Sequence, residues 1–167
     1  MMKKIGCFVL ALALCAALAG CASSGSASFS EEDLVLTVGG NDYRCRDNIE
    51  TVIADMGDGY TYAEGKSCNY DGLDKTYSYP EATFYTNPLE EGDMLSEIYS
   101  VSSQAATSKD ITVGADKQAV LDAYGEPAEQ DDYLMIYRAS EENGAPALCF
   151  ELEGEKVTAI FLTVEPV

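Results

Sequence analysis

A helix design that occurs twice, at a fixed offset, constrains this chain more than any other feature. In Asn48-Ile49-Glu50-Thr51-Val52-Ile53-Ala54-Asp55-Met56-Gly57, the apolar residues Ile49, Val52, Ile53 and Met56 stand at i, i+3, i+4 and i+7. That spacing puts them on one helical face. Asn48 supplies a cap at the start and Gly57 a stop at the end. The design returns 68 residues on, from Asn48 to Asp116 and from Gly57 to Gly125, with Val120, Leu121 and Tyr124 as its apolar face. Pro127 then prevents continuation. Helices of two to three turns do not persist alone in water, so each must be buried on a sheet.

Short β-type runs follow each helix: Thr76 to Tyr79, Ala82 to Thr86 and Met94 to Val101 after the first, Tyr133 to Arg138, Ala147 to Leu152 and Lys156 to Val164 after the second. The last two runs of each set read as an antiparallel hairpin, with Glu97-Ile98-Tyr99 matching Ala159-Ile160-Phe161. A further run precedes each helix, Leu34 to Val38 and Asp110 to Val113. The expected fold is α+β: two tandem units, residues 34–101 and 110–167, each a short helix on an antiparallel sheet, joined by the polar link 102–109.

The pattern Ile111-Thr112-Val113-Gly114, Asp116, Val120, Tyr124-Gly125-Glu126-Pro127, then Tyr137, Leu148 to Phe150 and Lys156-Val157 with Ile160, resembles small bacterial lipoproteins of the SmpA/BamE type. Tandem copies of such a unit are similar to the β-lactamase inhibitory protein. That likeness implies helices on one face of a sheet and a partner on the other. The stretch Ser67 to Tyr77 also resembles uncharacterised lipoproteins of Firmicutes.

Residues 1–20 read as an export signal: Lys3 and Lys4 precede the apolar Ile5 to Ala19, and Leu18-Ala19-Gly20-Cys21 follows. The apolar run is about 15 residues, short of the roughly 20 that span a bilayer. The tetrapeptide resembles a bacterial lipobox, which implies cleavage before Cys21 and a lipid on its thiol. Residues 21–33 then form the lipidated cysteine and a Gly/Ser-rich tether. Removing the signal leaves 8 Lys+Arg against 29 Asp+Glu, a net charge of -21. Anionic headgroups repel such a domain within about a Debye length, so membrane attachment rests on the lipid. The expected location is the extracytoplasmic face of the bacterial cell membrane. Nucleic acid is excluded as a partner by the same charge, since phosphate binding is carried by Lys and Arg.

Catalysis finds little support in the residues. There is no His, and no Ser stands in G-x-S-x-G. Gly65-Lys66-Ser67 lacks the spacing of a phosphate-binding loop and follows Glu64. Asp55-Met56-Gly57-Asp58-Gly59 and Asp71-Gly72-Leu73-Asp74 lack the ligand positions of an EF-hand and read as turns. No cofactor and no metal site is expected. A carboxylate pair acting as in glycoside hydrolysis stays open, because 29 acidic residues supply some pair at any separation.

Eleven Tyr are the most suggestive feature for binding. Tyr77 and Tyr79 share one strand face; Tyr133, Met135 and Tyr137 share another, leaving Leu134 and Ile136 opposite. If the aliphatic faces lie under the helices, Tyr77, Tyr79, Tyr133 and Tyr137 face solvent, where Tyr favours recognition. The other reading has these rings packing the sheet with wet hydroxyls. Export permits disulfides, and Cys45 and Cys68, both in polar turn-rich surroundings, form a candidate bridge, while Cys149 sits in an apolar strand.

The expected function is therefore a non-catalytic, lipid-anchored binding module for a protein or cell-envelope ligand, with basic protein surfaces favoured by charge. The alternatives are a structural or assembly lipoprotein and an envelope hydrolase using two carboxylates.

Overall fold

The computed structural model describes residues 28–164; the signal segment, Cys21 and residues 22–27 of the tether lie outside the described residues. Both helices end where their glycines dictate. Helix α1 (Ile49–Met56) starts on Asn48, whose Oδ1 accepts the Glu50 amide at 2.9 Å. Helix α2 (Lys117–Tyr124) follows Asp116, but that carboxylate pairs with Lys156 Nζ at 3.0 Å instead of capping the helix amides. Gly57 and Gly125 adopt φ of 75° and 77°, a region that L side chains resist, and return their N–H groups to Ile53 and Leu121 at 2.8 Å.

Strands make up most of the rest. β1 (Leu36–Val38), β2 (Asn41–Tyr43) and β7 (Ala106–Thr107) form a small antiparallel sheet in the order β2-β1-β7. The other eight are β3 (Thr61–Lys66), β4 (Leu73–Ser78), β5 (Thr83–Leu89), β6 (Gly92–Ser100), β8 (Glu129–Gln130), β9 (Leu134–Arg138), β10 (Pro146–Glu153) and β11 (Lys156–Val164). They form one antiparallel sheet in the order β3-β4-β5-β6-β11-β10-β9-β8.

This corrects the expectation of two helix-on-sheet units. The chain is strand-dominated, and its large sheet is continuous, because β6 and β11 pair from Glu97↔Thr163 to Ser100↔Ile160. Pairing these two strands satisfies the backbone groups that each would otherwise present as a free edge. The run before the first helix joins the small sheet, not the large one, and the run expected at Asp110–Val113 is reduced to a single bridge, Ala106↔Thr112. With eight residues each, the helices are minor covering elements.

One face of the large sheet carries the core. Phe84, Leu95, Ile98, Met135, Tyr137, Leu148, Phe150, Ile160 and Leu162 point to it, and Leu36, Val38 and Tyr43 of the small sheet, Ile49 and Val52 of α1, and Val120 and Tyr124 of α2 pack on them. Burying each such side chain stabilises by about 1.5–3 kcal/mol. The small sheet and both helices thus cover the same side of the large one. Residues 28–33, read from sequence as part of the tether, also dock there. The Phe29 ring lies 5.9 Å from that of Tyr124 and 5.5 Å from that of Tyr137. Asp33, buried, accepts the Ser30 amide at 2.9 Å and the Ser108 hydroxyl at 2.9 Å, and pairs with Lys109 Nζ at 3.2 Å.

Candidate binding face

The opposite face of the large sheet follows from strand alternation: where Ile98, Phe150 and Ile160 point to the core, their neighbours point away. The register then builds a row of side chains that crosses all eight strands: Thr61, Ser78, Thr83, Tyr99, Phe161, Cys149, Ile136 and Glu129, each opposite the next. A parallel row one step along the strands holds Ala63, Thr76, Tyr85, Glu97, Thr163, Ala147 and Arg138. Ala159, Glu151 and Leu134 form a third.

Aromatic and aliphatic groups stand exposed or half-buried here: Tyr85, Tyr99, Phe161, Leu134 and Ile136. The Tyr99 and Phe161 rings are 5.8 Å apart. Between the larger side chains, Ala147, Cys149 and Ala159 form a buried floor that is not part of the helix-side core. Among the described residues, the carboxylates of Asp74, Glu97, Glu129 and Glu151 face this side, as does the guanidinium of Arg138, which pairs with Glu129 at 3.3 Å. Tyr99 donates its hydroxyl to Glu151 at 3.3 Å. Burial pushes the Glu97 carboxyl above its ordinary range, against a hydrogen bond from Thr163, and the nearby Glu151 charge pushes it further. The Cys149 thiol is pushed up to about 12, first by burial and then by the Glu97 and Glu129 charges, with Arg138 acting the other way. Such a thiol stays protonated at neutral pH and is a poor nucleophile.

The four Tyr expected on the solvent side are placed otherwise. Tyr77, Tyr79 and Tyr137 are buried on the helix side, Tyr137 to 1% exposure. Tyr133 alone is exposed, at 74%, just before β9 and not in a row with them. The physical reason is a polar handle under each helix. Tyr79 donates its hydroxyl to the Gly57 carbonyl at 2.8 Å, and Tyr137 donates to the Gly125 carbonyl at 2.9 Å. Each closes a helix C-terminus whose last carbonyls have no helical partner. The aliphatic pair Leu134 and Ile136 is consequently turned outward. The signal for the outward set was present in Glu97-Ile98-Tyr99 and Ala159-Ile160-Phe161, whose alternation places Tyr99 and Phe161 opposite the inward Ile98 and Ile160.

Cys45 and Cys68 are both free thiols. Cys68 is exposed in the β3–β4 turn, whereas Cys45 sits between β2 and α1, its Sγ 3.6 Å from the Ser96 carbonyl. Burial pushes the Cys45 thiol up to about 12, with the Glu97 charge adding to it. Lys66 ends β3, and the Ser67 hydroxyl accepts the amides of Asn69 and Tyr70, which makes this segment a strand end and a turn. Among the acidic turn residues, Asp55 accepts the Tyr43 hydroxyl and Asp74 accepts the Asn87 amide. Cys21 lies outside the described residues.

No protein-family model matches the chain, and no curated protein or solved structure matches it either. Nothing in these comparisons bears on the resemblance to the SmpA/BamE lipoproteins.

Proposed function

We propose that this chain is an exported, lipid-anchored, non-catalytic binding protein whose ligand-binding surface is the open face of the eight-stranded sheet. The observation that carries the reading is the cross-strand set Tyr85, Tyr99, Phe161 and Ile136, exposed or half-buried on a face that neither helix and not the small sheet covers. An apolar patch of this kind costs free energy when left in water and is characteristic of interaction surfaces. Aromatic rings recover that cost on binding with little loss of side-chain entropy. The lipobox-like Leu18-Ala19-Gly20-Cys21 supports the anchored location, and the net charge of -21 directs the face toward basic partners.

The reading is tested by affinity capture from cell-envelope extract with the mature chain, run beside the Tyr99→Ser/Phe161→Ser variant and the Tyr133→Ser variant. The expected result is a discrete partner retained by the wild type and Tyr133→Ser and lost from the double variant, all three giving the same circular dichroism spectrum. Retention by the double variant overturns the assignment.

A further inference from the structure

Resting on the reading that the open face binds, the arrangement at its centre points to the chemistry of the partner. Phe161 lies directly opposite Tyr99 on one side and Cys149 on the other. Glu97, opposite Thr163, and Glu151, opposite Ala159, are therefore diagonal neighbours of the Phe161 ring from its two flanking strands. Diagonal positions on one sheet face are about 7–8 Å apart, within reach of long side chains. None of the ion pairs among the described residues involves Glu97 or Glu151. Arg138, which stands in the same row as Glu97, is engaged by Glu129.

We propose that the Tyr99–Phe161 ring pair, with Glu97 and Glu151 on its diagonals, receives an arginine or lysine side chain from a protein partner. A cation set over these rings is attracted by the ring faces and by two carboxylates that lack a counter-charge. Its arrival relieves the repulsion between Glu97 and Glu151. The apolar surround, Tyr85 on one side with Ile136 and Leu134 on the other, excludes water from the contact, as around the hot spots of protein interfaces. The dimensions favour a protein over a small cation. Eight strands span about 34 Å at about 4.8 Å spacing. The three rows, about 7 Å apart and covering eight, seven and three strands, give a flat area of about 500 Å², far more than one small cation covers and of the same order as the roughly 800 Å² that one partner contributes to a standard interface. A metal ion fits less well, because an aromatic ring stands between the two carboxylates and no three His, Cys, Asp or Glu side chains converge among the described residues.

The test uses a defined probe, a display library of a small β-sandwich scaffold with randomised loops, panned against the mature chain. The clones are then measured against Glu97→Gln/Glu151→Gln, against Thr163→Arg, which places a cation beside Glu97, and against Glu141→Gln/Glu142→Gln, an equal charge change in the β9–β10 turn. The Gln pair retains shape and the Tyr99 acceptor, and melting curves verify that each variant is folded. Expected are clones enriched in Arg or Lys beside apolar residues. They should lose at least tenfold in affinity on Glu97→Gln/Glu151→Gln and on Thr163→Arg, and less than threefold on Glu141→Gln/Glu142→Gln. Clones that lose binding on Tyr99→Ser/Phe161→Ser but carry no basic enrichment and ignore the Gln pair overturn this inference and leave the open face as the binding surface. Clones that ignore the Tyr99→Ser/Phe161→Ser variant as well overturn both.

Discussion

Replacing Tyr137 by alanine should damage the fold and not simply the binding surface, and the size of the damage can be worked from its surroundings. The ring is buried among Phe29 at 5.5 Å, Tyr124 at 5.5 Å and Phe150 at 5.9 Å, and its hydroxyl holds the Gly125 carbonyl at 2.9 Å. Truncating a buried aromatic to alanine costs about 3–5 kcal/mol. Losing the hydroxyl bond alone costs about 1 kcal/mol. The 137 described residues give an unfolding entropy of about 0.29 kcal/mol/K at roughly 2.1 cal/mol/K per residue. Tyr137→Ala should then lower Tm by about 14 °C and Tyr137→Phe by about 3 °C. Tyr79→Phe should cost less, because the Gly57 carbonyl that its hydroxyl holds belongs to an exposed residue that water can serve. Tyr133→Ala, at a side chain 74% exposed, should stay within about 0.5 kcal/mol, or about 2 °C. Thermal melts of the protein followed by circular dichroism read all four. A Tyr137→Ala protein that melts within 3 °C of the wild type refutes the placement of this tyrosine under α2.

Three further outcomes follow from the titratable groups. The Glu97 carboxyl is held above its ordinary range by burial and by Glu151, so between its unfolded and folded pKa the native state binds the extra proton. Stability should therefore rise as pH is lowered from neutral into that interval, and Glu97→Gln should raise Tm at pH 7 and flatten the rise; a destabilising Glu97→Gln contradicts this. Asp33 behaves oppositely. Burial alone would raise it, but the Ser108 hydroxyl, the Ser30 amide and Lys109 outweigh that and hold it below 3.8. Its contribution is present above pH 3.8 and lost as pH falls through the folded value, and Asp33→Asn should cost about 2 kcal/mol at pH 7, as for a charge-assisted bond. Among Cys45, Cys68 and Cys149, native protein should show one fast thiol toward Ellman's reagent, exposed Cys68, with the other two reacting only on unfolding. A protein with no fast thiol and one slow one would instead carry a Cys45–Cys68 bridge.

Local signals in the chain were legible where they are self-contained. Asn48 with Gly57, and Gly125 with the apolar Val120 and Tyr124, mark both helices to within a residue. The β5–β6 and β10–β11 hairpins follow from alternation. What alternation could not decide is which of two faces turns inward, since Tyr137 and Ile136 are both apolar enough for either side. The choice was made by the Gly125 carbonyl, a long-range partner with no trace in the strand itself. The joining of β6 to β11 is likewise a contact between residues some 60 positions apart, as in Tyr99↔Phe161. All six residues of strand β3 are exposed, so Thr61–Lys66 has no apolar period to read. The docking of Phe29 and Asp33 has no local signal, because their anchors, Tyr137, Ser108 and Lys109, lie far along the chain.

The central claim is that the open sheet face meets the partner. It is tested most directly by placing a photoreactive p-benzoylphenylalanine at Thr163, on that face, and in parallel at Glu50 on the exposed side of α1, then irradiating intact cells that express the full chain. The account predicts a discrete cross-linked protein from position 163 and none from position 50; cross-linking from position 50 alone would contradict it.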